Sequence, residues 1–229
     1  ARDAGRSSRT GGGSGVPAYG PFVEDSPWYV ETDYPTYDLE EAKRLVAEYE
    51  AEHGRLAFSI TANANSDSKG LTQTLVAMYT EAGMDVTVTE IDQTNQVIAV
   101  VFGQYQATNF RLFAAKDPVG DTYYWDPAGT RPSGELSLNM ARTTSPEIAD
   151  ALLRGSSTTD EAVRKQAYAD FPHALTDEPP YICLSRVDWI VAPRPKVRGL
   201  PTQTLPDGTP SLAMQAGVHR LTEVWIATT

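Results

Sequence analysis

Between Leu56 and Ala115 the chain alternates between strand-like and helix-like text, and this alternation constrains the fold more than any other feature. LAFSITAN, Leu56 to Asn63, has the composition of a strand. Ser66 to Ala82 predicts a helix with Leu71, Leu75, Met78, Tyr79 and Ala82 inward, stopped by Gly83. VTVTEI, Val86 to Ile91, alternates as a half-buried strand. Asn95 to Tyr105 predicts a second helix that buries Val97, Ile98, Val101, Phe102 and Tyr105, and NFRLFAA, Asn109 to Ala115, predicts a third strand. Strand–helix–strand–helix–strand implies a sheet with parallel crossovers and places the chain in the α/β class.

The flanks are less regular. Residues 1–15 are rich in Arg, Gly and Ser and offer too little apolar surface to offset the entropy of ordering; a flexible arm over residues 1–18 is expected. From Val16 to Tyr37, Pro and aromatic residues predict an extended loop held by Phe22, Trp28 and Tyr29. A helix follows, with Asp38 as N-cap, Glu41 closing a capping box, Leu39, Ala42, Leu45, Val46 and Tyr49 as its apolar stripe, a Glu40–Arg44 pair, and Gly54 at its end. Lys116 to Arg142 shows no period, and loops of that length are often functional. Ser145 and Pro146 open a helix that Gly155 should end, and Asp160 to Asp177 predicts another, which Pro172 should kink or split at Phe171. Pro179-Pro180 lead into a strand, YICLSRVDWIVA, and LTEVWIA near the C-terminus reads as a closing strand.

The 229 residues suffice for one large domain or two small ones. A formal charge of −11 disfavours phosphate backbones and anionic membranes, so no nucleic-acid partner is expected. The single cysteine, Cys183, excludes an internal disulfide and any cysteine-based zinc cluster; in its apolar run it is expected as a buried small hydrophobe. No apolar run approaches the ~20 residues of a membrane span. The first residues carry arginines without an apolar run, so either a mature, truncated chain or an intracellular protein is expected.

Enzymatic signatures are weak. There is no G-x-S-x-G elbow, and the one S-x-x-K, Ser66 to Lys69, lacks the S-D-N and K-T-G partners of penicillin-recognising enzymes. His53, His173 and His219 form no helical metal pair, no phosphate loop follows a strand, and no cofactor or metal is expected. The aperiodic loop instead sets Tyr123, Tyr124 and Trp125 among Asp117, Asp121 and Asp126. Rings beside acids suit sugars, cationic ligands or peptide amino termini, and the same rings could equally pack the loop onto the sheet. Carboxylates of this loop also leave a hydrolase as the alternative.

The order of several segments resembles the extracellular solute-binding proteins of bacterial ABC importers, in the peptide/nickel/oligosaccharide group called family 5. GPF…SPWY from Gly20 is similar to the loop entering that family's second lobe. YDLEEAKRLVAEYEAEHG, LTQTLVAMYTEAGMDVTVTEID, Asp117-Pro118, Asn139 followed by Ser-Pro-Glu, and DEAVRKQAYADF resemble later family segments in the family's order. The run from Ser145 to Leu200, two helices, a doubled proline, an apolar strand and PKVRG, resembles its C-terminal region. The resemblance implies a periplasmic-binding-protein-like type II lobe, a mixed sheet flanked by helices, with an incomplete second lobe: residues 19–178 forming the second lobe and 179–229 crossing back to the first. It implies the C-terminal part of an exported lipoprotein, extracellular and held at the cell envelope, that is not an enzyme. Such a protein binds a small solute, an oligopeptide or oligosaccharide, and delivers it to ABC permease subunits. By resemblance Asp117 would hold a ligand ammonium with Arg111 close by, and Asn139 would belong to the site. The family's tryptophan three residues before the acid is Ala114 here, so Tyr124 and Trp125 are expected to supply a ring face instead.

Overall fold

The computed structural model describes residues 16–112, 115, 117–177, 179–187, 193–200, 214, 215, 218, 219 and 224–228. The chain divides into two compact units, Ala1–Phe110 with Thr122–Val187, and Arg111–Asp121 with Asp188–Thr229.

The first unit opens with β1 (Val16–Pro17), then an irregular stretch, then α1 (Leu39–His53). Asp38 caps α1 by accepting the Glu41 N–H at 3.0 Å, and Gly54 ends it at φ 78°. The reciprocal half of the expected capping box is replaced: the Glu41 carboxylate takes the Arg44 guanidinium, which also reaches Glu48, while Glu40 pairs with Lys43 rather than Arg44. Of the expected stripe only Val46 is buried, and Leu45 and Tyr49 are exposed.

The α/β core follows as β2 (Ala57–Asn63), α2 (Ser66–Glu81), β3 (Asp85–Ile91), α3 (Gln93–Val101) and β4 (Ala107–Thr108). The sheet has the order β3-β2-β4 with every pairing parallel, in register from Ala57 opposite Asp85 to Asn63 opposite Ile91. Asn65 and Asp92 cap α2 and α3 by accepting the N–H three residues on. Central β2 buries Ile60, Thr61 and Ala62. Two expectations are corrected. The third strand is Ala107–Thr108, and Asn109–Leu112 leave the ladder. On α3 Val97 and Ile98 face solvent, and Gln96 and Val100 are buried. The buried Gln96 amide is satisfied by Thr108 Oγ1 at 3.2 Å and the Asn109 carbonyl at 3.0 Å, so burial leaves its donors paired.

Two further helices, α4 (Pro146–Ser156) and α5 (Glu161–Asp177), pack as a hairpin around Ile148, Leu152, Tyr168, Phe171 and Leu175. Ser145 caps α4 and Pro146 takes its first turn. Gly155 lies inside α4 rather than after it: a Cβ there would sit 2.5 Å from Tyr168 Cζ, so glycine sets the helix spacing. Pro172 is buried within α5, which continues through it unsplit. Phe22 and Trp28 cover this core, Trp28 edge-on to Tyr168 at 5.2 Å under the Arg164 guanidinium, while Tyr29 is exposed rather than anchoring. The chain ends the unit in β5 (Ser185–Arg186), antiparallel to β1, so Val16–Ala18 of the expected arm pack here, with Ala18 buried. Residues 1–15 lie outside the described residues. Among the described residues of the expected strand, Ser185–Arg186 pair with β1 and the Leu184 carbonyl accepts the Ala18 N–H at 3.4 Å; residues 188–192 also lie outside. Half-buried Cys183 donates its N–H to Tyr34 Oη at 2.7 Å, and burial pushes its thiol pKa up.

In the second unit β6 (Val197–Arg198), β7 (Met214–Gln215), β8 (Val218–His219) and β9 (Trp225–Ile226) form two antiparallel pairs, β6 with β9 and β7 with β8. The closing strand is therefore present at Trp225–Ile226, and Leu221–Glu223 are outside the described residues. No described helix is long and apolar enough to cross a membrane.

Candidate functional site

The aperiodic loop is built of short 3-10 turns, Pro118–Tyr124 and Pro127–Gly129. Trp125 and Asp126 both donate their N–H to the Thr122 carbonyl, at 2.9 and 2.8 Å, and Asp126 Oδ1 caps the second turn through the Ala128 N–H. Trp125 lies edge-on to Phe171 at 5.6 Å and to Tyr181 at 4.9 Å, which seats the loop on α5 rather than on the sheet. Tyr181 reinforces the seat: its hydroxyl donates to the Tyr124 carbonyl at 3.4 Å and accepts the Ala141 N–H at 3.2 Å, and burial pushes its pKa up to about 12. Tyr124 stacks obliquely on Tyr123 at 4.2 Å, and Tyr123 is the exposed ring of the group.

Asn139 is fully buried and holds this loop closed. Its Nδ2 donates to the Asp126 carbonyl, Thr130 Oγ1 and the Thr143 carbonyl at 3.0–3.2 Å, and its Oδ1 accepts the Thr143 N–H at 3.3 Å. With donors and acceptor engaged by the loop, Asn139 positions the ring segment. The sequence reading missed its companion, Arg142. Arg142 takes φ 55°, a left-handed conformation that disfavours a side chain, and its guanidinium donates to the carbonyls of Val101, Arg131, Glu135 and Met140. Val101 ends α3, so a cation meets the negative end of that helix. Gly103, itself at φ 66°, leaves the space the guanidinium fills. No short motif announces such a residue, since its function depends on a backbone angle.

Arg111 and Asp117 belong to the second unit. Arg111 is exposed; Asp117 is half-buried, and its Oδ1 accepts the Val119 N–H at 3.0 Å at the start of a turn. Asp121 accepts the Ala115 N–H at 2.7 Å, and burial raises its pKa above the ordinary carboxylate value. Ala114 lies outside the described residues. The structure thus gathers Tyr124, Trp125 and Asn139 in one loop of the first unit, and Arg111 and Asp117 in one segment of the second.

A groove of about 270 Å³ lies between the ring loop and α4, lined by Thr122, Asp126, Ala128, Leu152 and Leu153 among others. Its lining mixes alanine and leucine side chains with Thr122, Ser156 and one acid, Asp126. Among the described residues no cluster of His, Cys, Asp and Glu could hold a metal. Ser66 is exposed and the Lys69 ammonium is held by Glu90 at 2.8 Å, so their S-x-x-K shows no nucleophile–base pair. The loop carboxylates serve backbone N–H groups, which lends the hydrolase alternative no support.

The chain is 27% identical over 214 residues to Protein XP55 of Streptomyces lividans, covering 90% of this chain and 39% of that protein. Its structure is similar to the ABC transporter-associated periplasmic binding protein DppA of Helicobacter pylori, solved with the peptide STSA, at TM-score 0.73 and 17% identity, over 93% of this chain and 40% of that one. It is also similar to the periplasmic binding protein MelB of Agrobacterium fabrum, solved with stachyose, at TM-score 0.70 and 20% identity, over 93% of this chain and 35% of that one. The chain therefore spans about two fifths of the length of these relatives or less, and shares with DppA and MelB a periplasmic-binding-protein-like α/β fold. Residues 8–134 match the model of the bacterial extracellular solute-binding proteins, family 5 middle region, and the chain belongs to that family.

Proposed function

We propose that this chain supplies part of the binding cleft of a solute receptor that captures a small oligopeptide or oligosaccharide outside the cell membrane and delivers it, unaltered, to an ABC-type permease. The observation that carries the reading is the family match over residues 8–134, laid on a parallel βαβ core. Residues 19–178 would form most of the second lobe and 179–229 would cross back toward the first. Asp117 and Arg111 would meet the charged end of a solute, and Tyr124 would offer a ring with Tyr123 beside it. Trp125 and Asn139 would hold that loop in place. Capture would follow from closure around the solute, with an exported lipoprotein as the expected precursor.

The test is a thermal-shift and calorimetric screen with three probes: a tetrapeptide, stachyose, and nickel–histidine. One probe class is expected to raise the melting temperature and to be recovered chemically unchanged, with Asp117→Ala weakening its binding. Turnover of a probe, a response to nickel–histidine alone, or indifference to all three classes overturns the reading.

A further inference from the structure

Among the described residues, the β3 edge of the sheet is open. β3 ends the order β3-β2-β4, and all seven of its residues pair with β2, with no further strand beside it among the described residues. Thr87, Val88, Thr89 and Glu90 are all exposed. Exposed edges are commonly guarded by proline, lysine, a bulge or unpaired charge. β3 (DVTVTEI) has no proline or lysine and an unbroken register. Its two acids are neutralised within the chain, Asp85 by Arg55 at 3.3 Å and Glu90 by Lys69 at 2.8 Å. Beside it runs a groove of about 360 Å³ between β3 and α2, whose walls include Val76, Ala77 and Val88.

We propose that this edge is a self-association surface, on which a second copy of the chain adds its own β3 antiparallel about a two-fold axis at Val88. The self-complementarity of the strand selects a second copy as the occupant. In that register Val88 faces Val88, Thr87 faces Thr89, Val86 faces Glu90, and Asp85 faces Ile91, so no acid opposes an acid. Threonine pairs and β-branched pairs across strands are favourable contacts. The axis places both α2 helices on one side of the joined sheet, where Gln73 and Ala77 line the groove together with Val88 and the paired Lys69 and Glu90. A seven-residue seam buries less than a permanent interface needs, so the dimer is weak and concentration-dependent.

Sedimentation velocity of the 229-residue chain tests this from low-micromolar to sub-millimolar concentration. The weight-average mass should climb from monomer toward dimer, and Val88→Lys should hold it at monomer with an unchanged circular dichroism spectrum. In a Cys183→Ser background, Val88→Cys should form a disulfide-linked dimer under mild oxidation. Thr87→Cys and Thr89→Cys should link to each other when mixed, and exposed Leu153→Cys should not link. A monomer at every concentration, self-association that survives Val88→Lys, or equal linking through Leu153→Cys overturns the proposal.

Discussion

Gly155 and Arg142 show how much of this structure rests on single backbone positions. Ordinarily Gly→Ala in a helix interior gains up to ~1 kcal/mol. At Gly155 the new methyl would meet the ring of Tyr168, which is fully buried and cannot swing away. Overpacking of that kind costs about 1–3 kcal/mol, so Gly155→Ala should lower stability despite the better propensity. A urea melt checks the sign. At Arg142 the left-handed backbone costs about 1–2 kcal/mol, which glycine would relieve. Two of the four guanidinium bonds, to Val101 and Met140, are part-buried, and hydrogen bonds from a charged donor contribute about 1.5–3 kcal/mol each. Their loss outweighs the relief, so Arg142→Gly should destabilise the loop, read as faster hydrogen exchange at Ser137 and Gly134, whose N–H groups bond Val101 and Phe102. Asp121 gives a pH signature. Its folded pKa is raised by burial, so the unfolded chain releases the proton first as pH rises through the ordinary carboxylate range. Stability is therefore lost between the unfolded value and the higher folded one. Asp121→Asn keeps an acceptor for the Ala115 N–H, and its stability relative to the native chain should grow from pH 3 to pH 7 (both chosen about the ~3.9 reference value).

At the scale of elements, α5 carries the least expected residue. Pro172 removes the N–H that would bond the Tyr168 carbonyl, a defect of about 3 kcal/mol in a helix interior. Replacing its ring with a methyl forfeits about two buried CH₂ groups, near 1.6 kcal/mol at ~0.8 each. Pro172→Ala should thus stabilise the chain by about 1 kcal/mol, seen as a higher denaturant midpoint. The elements legible in the sequence were those whose signal is local. Asp38 and Ser145 mark their helix starts, and the alternation from Ala57 to Ile91 yields the two full strands within a residue. Elements decided by distant partners were not legible. Gln96 is buried because Thr108 and Asn109 satisfy its amide, which apolar periodicity cannot register, so Val97 and Ile98 are expected inside in place of Gln96 and Val100. Gly155 read as a stop because its true reason, the Tyr168 ring, lies on another helix. The loop's rings were found by composition, but Trp125 turned out to be held edge-on by Phe171 and Tyr181, contacts that no spacing rule reveals.

At the scale of the whole molecule, coverage governs what these residues can do alone. The chain matches about two fifths of DppA and of XP55. A receptor that closes around its solute divides the contacts between two walls, and small-ligand sites bury most of the ligand surface. A solute held at about 1 μM by a closed cleft has roughly 8 kcal/mol of binding free energy. With about half of those contacts the same solute falls toward millimolar affinity, near 4 kcal/mol. The proposed function therefore predicts that the 229 residues alone bind the responsive probe on the order of 1,000-fold more weakly than the same residues joined to a complementary first lobe. Titration calorimetry on both forms measures the ratio. Equal affinity would mean that the ring loop and its groove beside α4 bind the solute unaided, and that closure contributes nothing to capture.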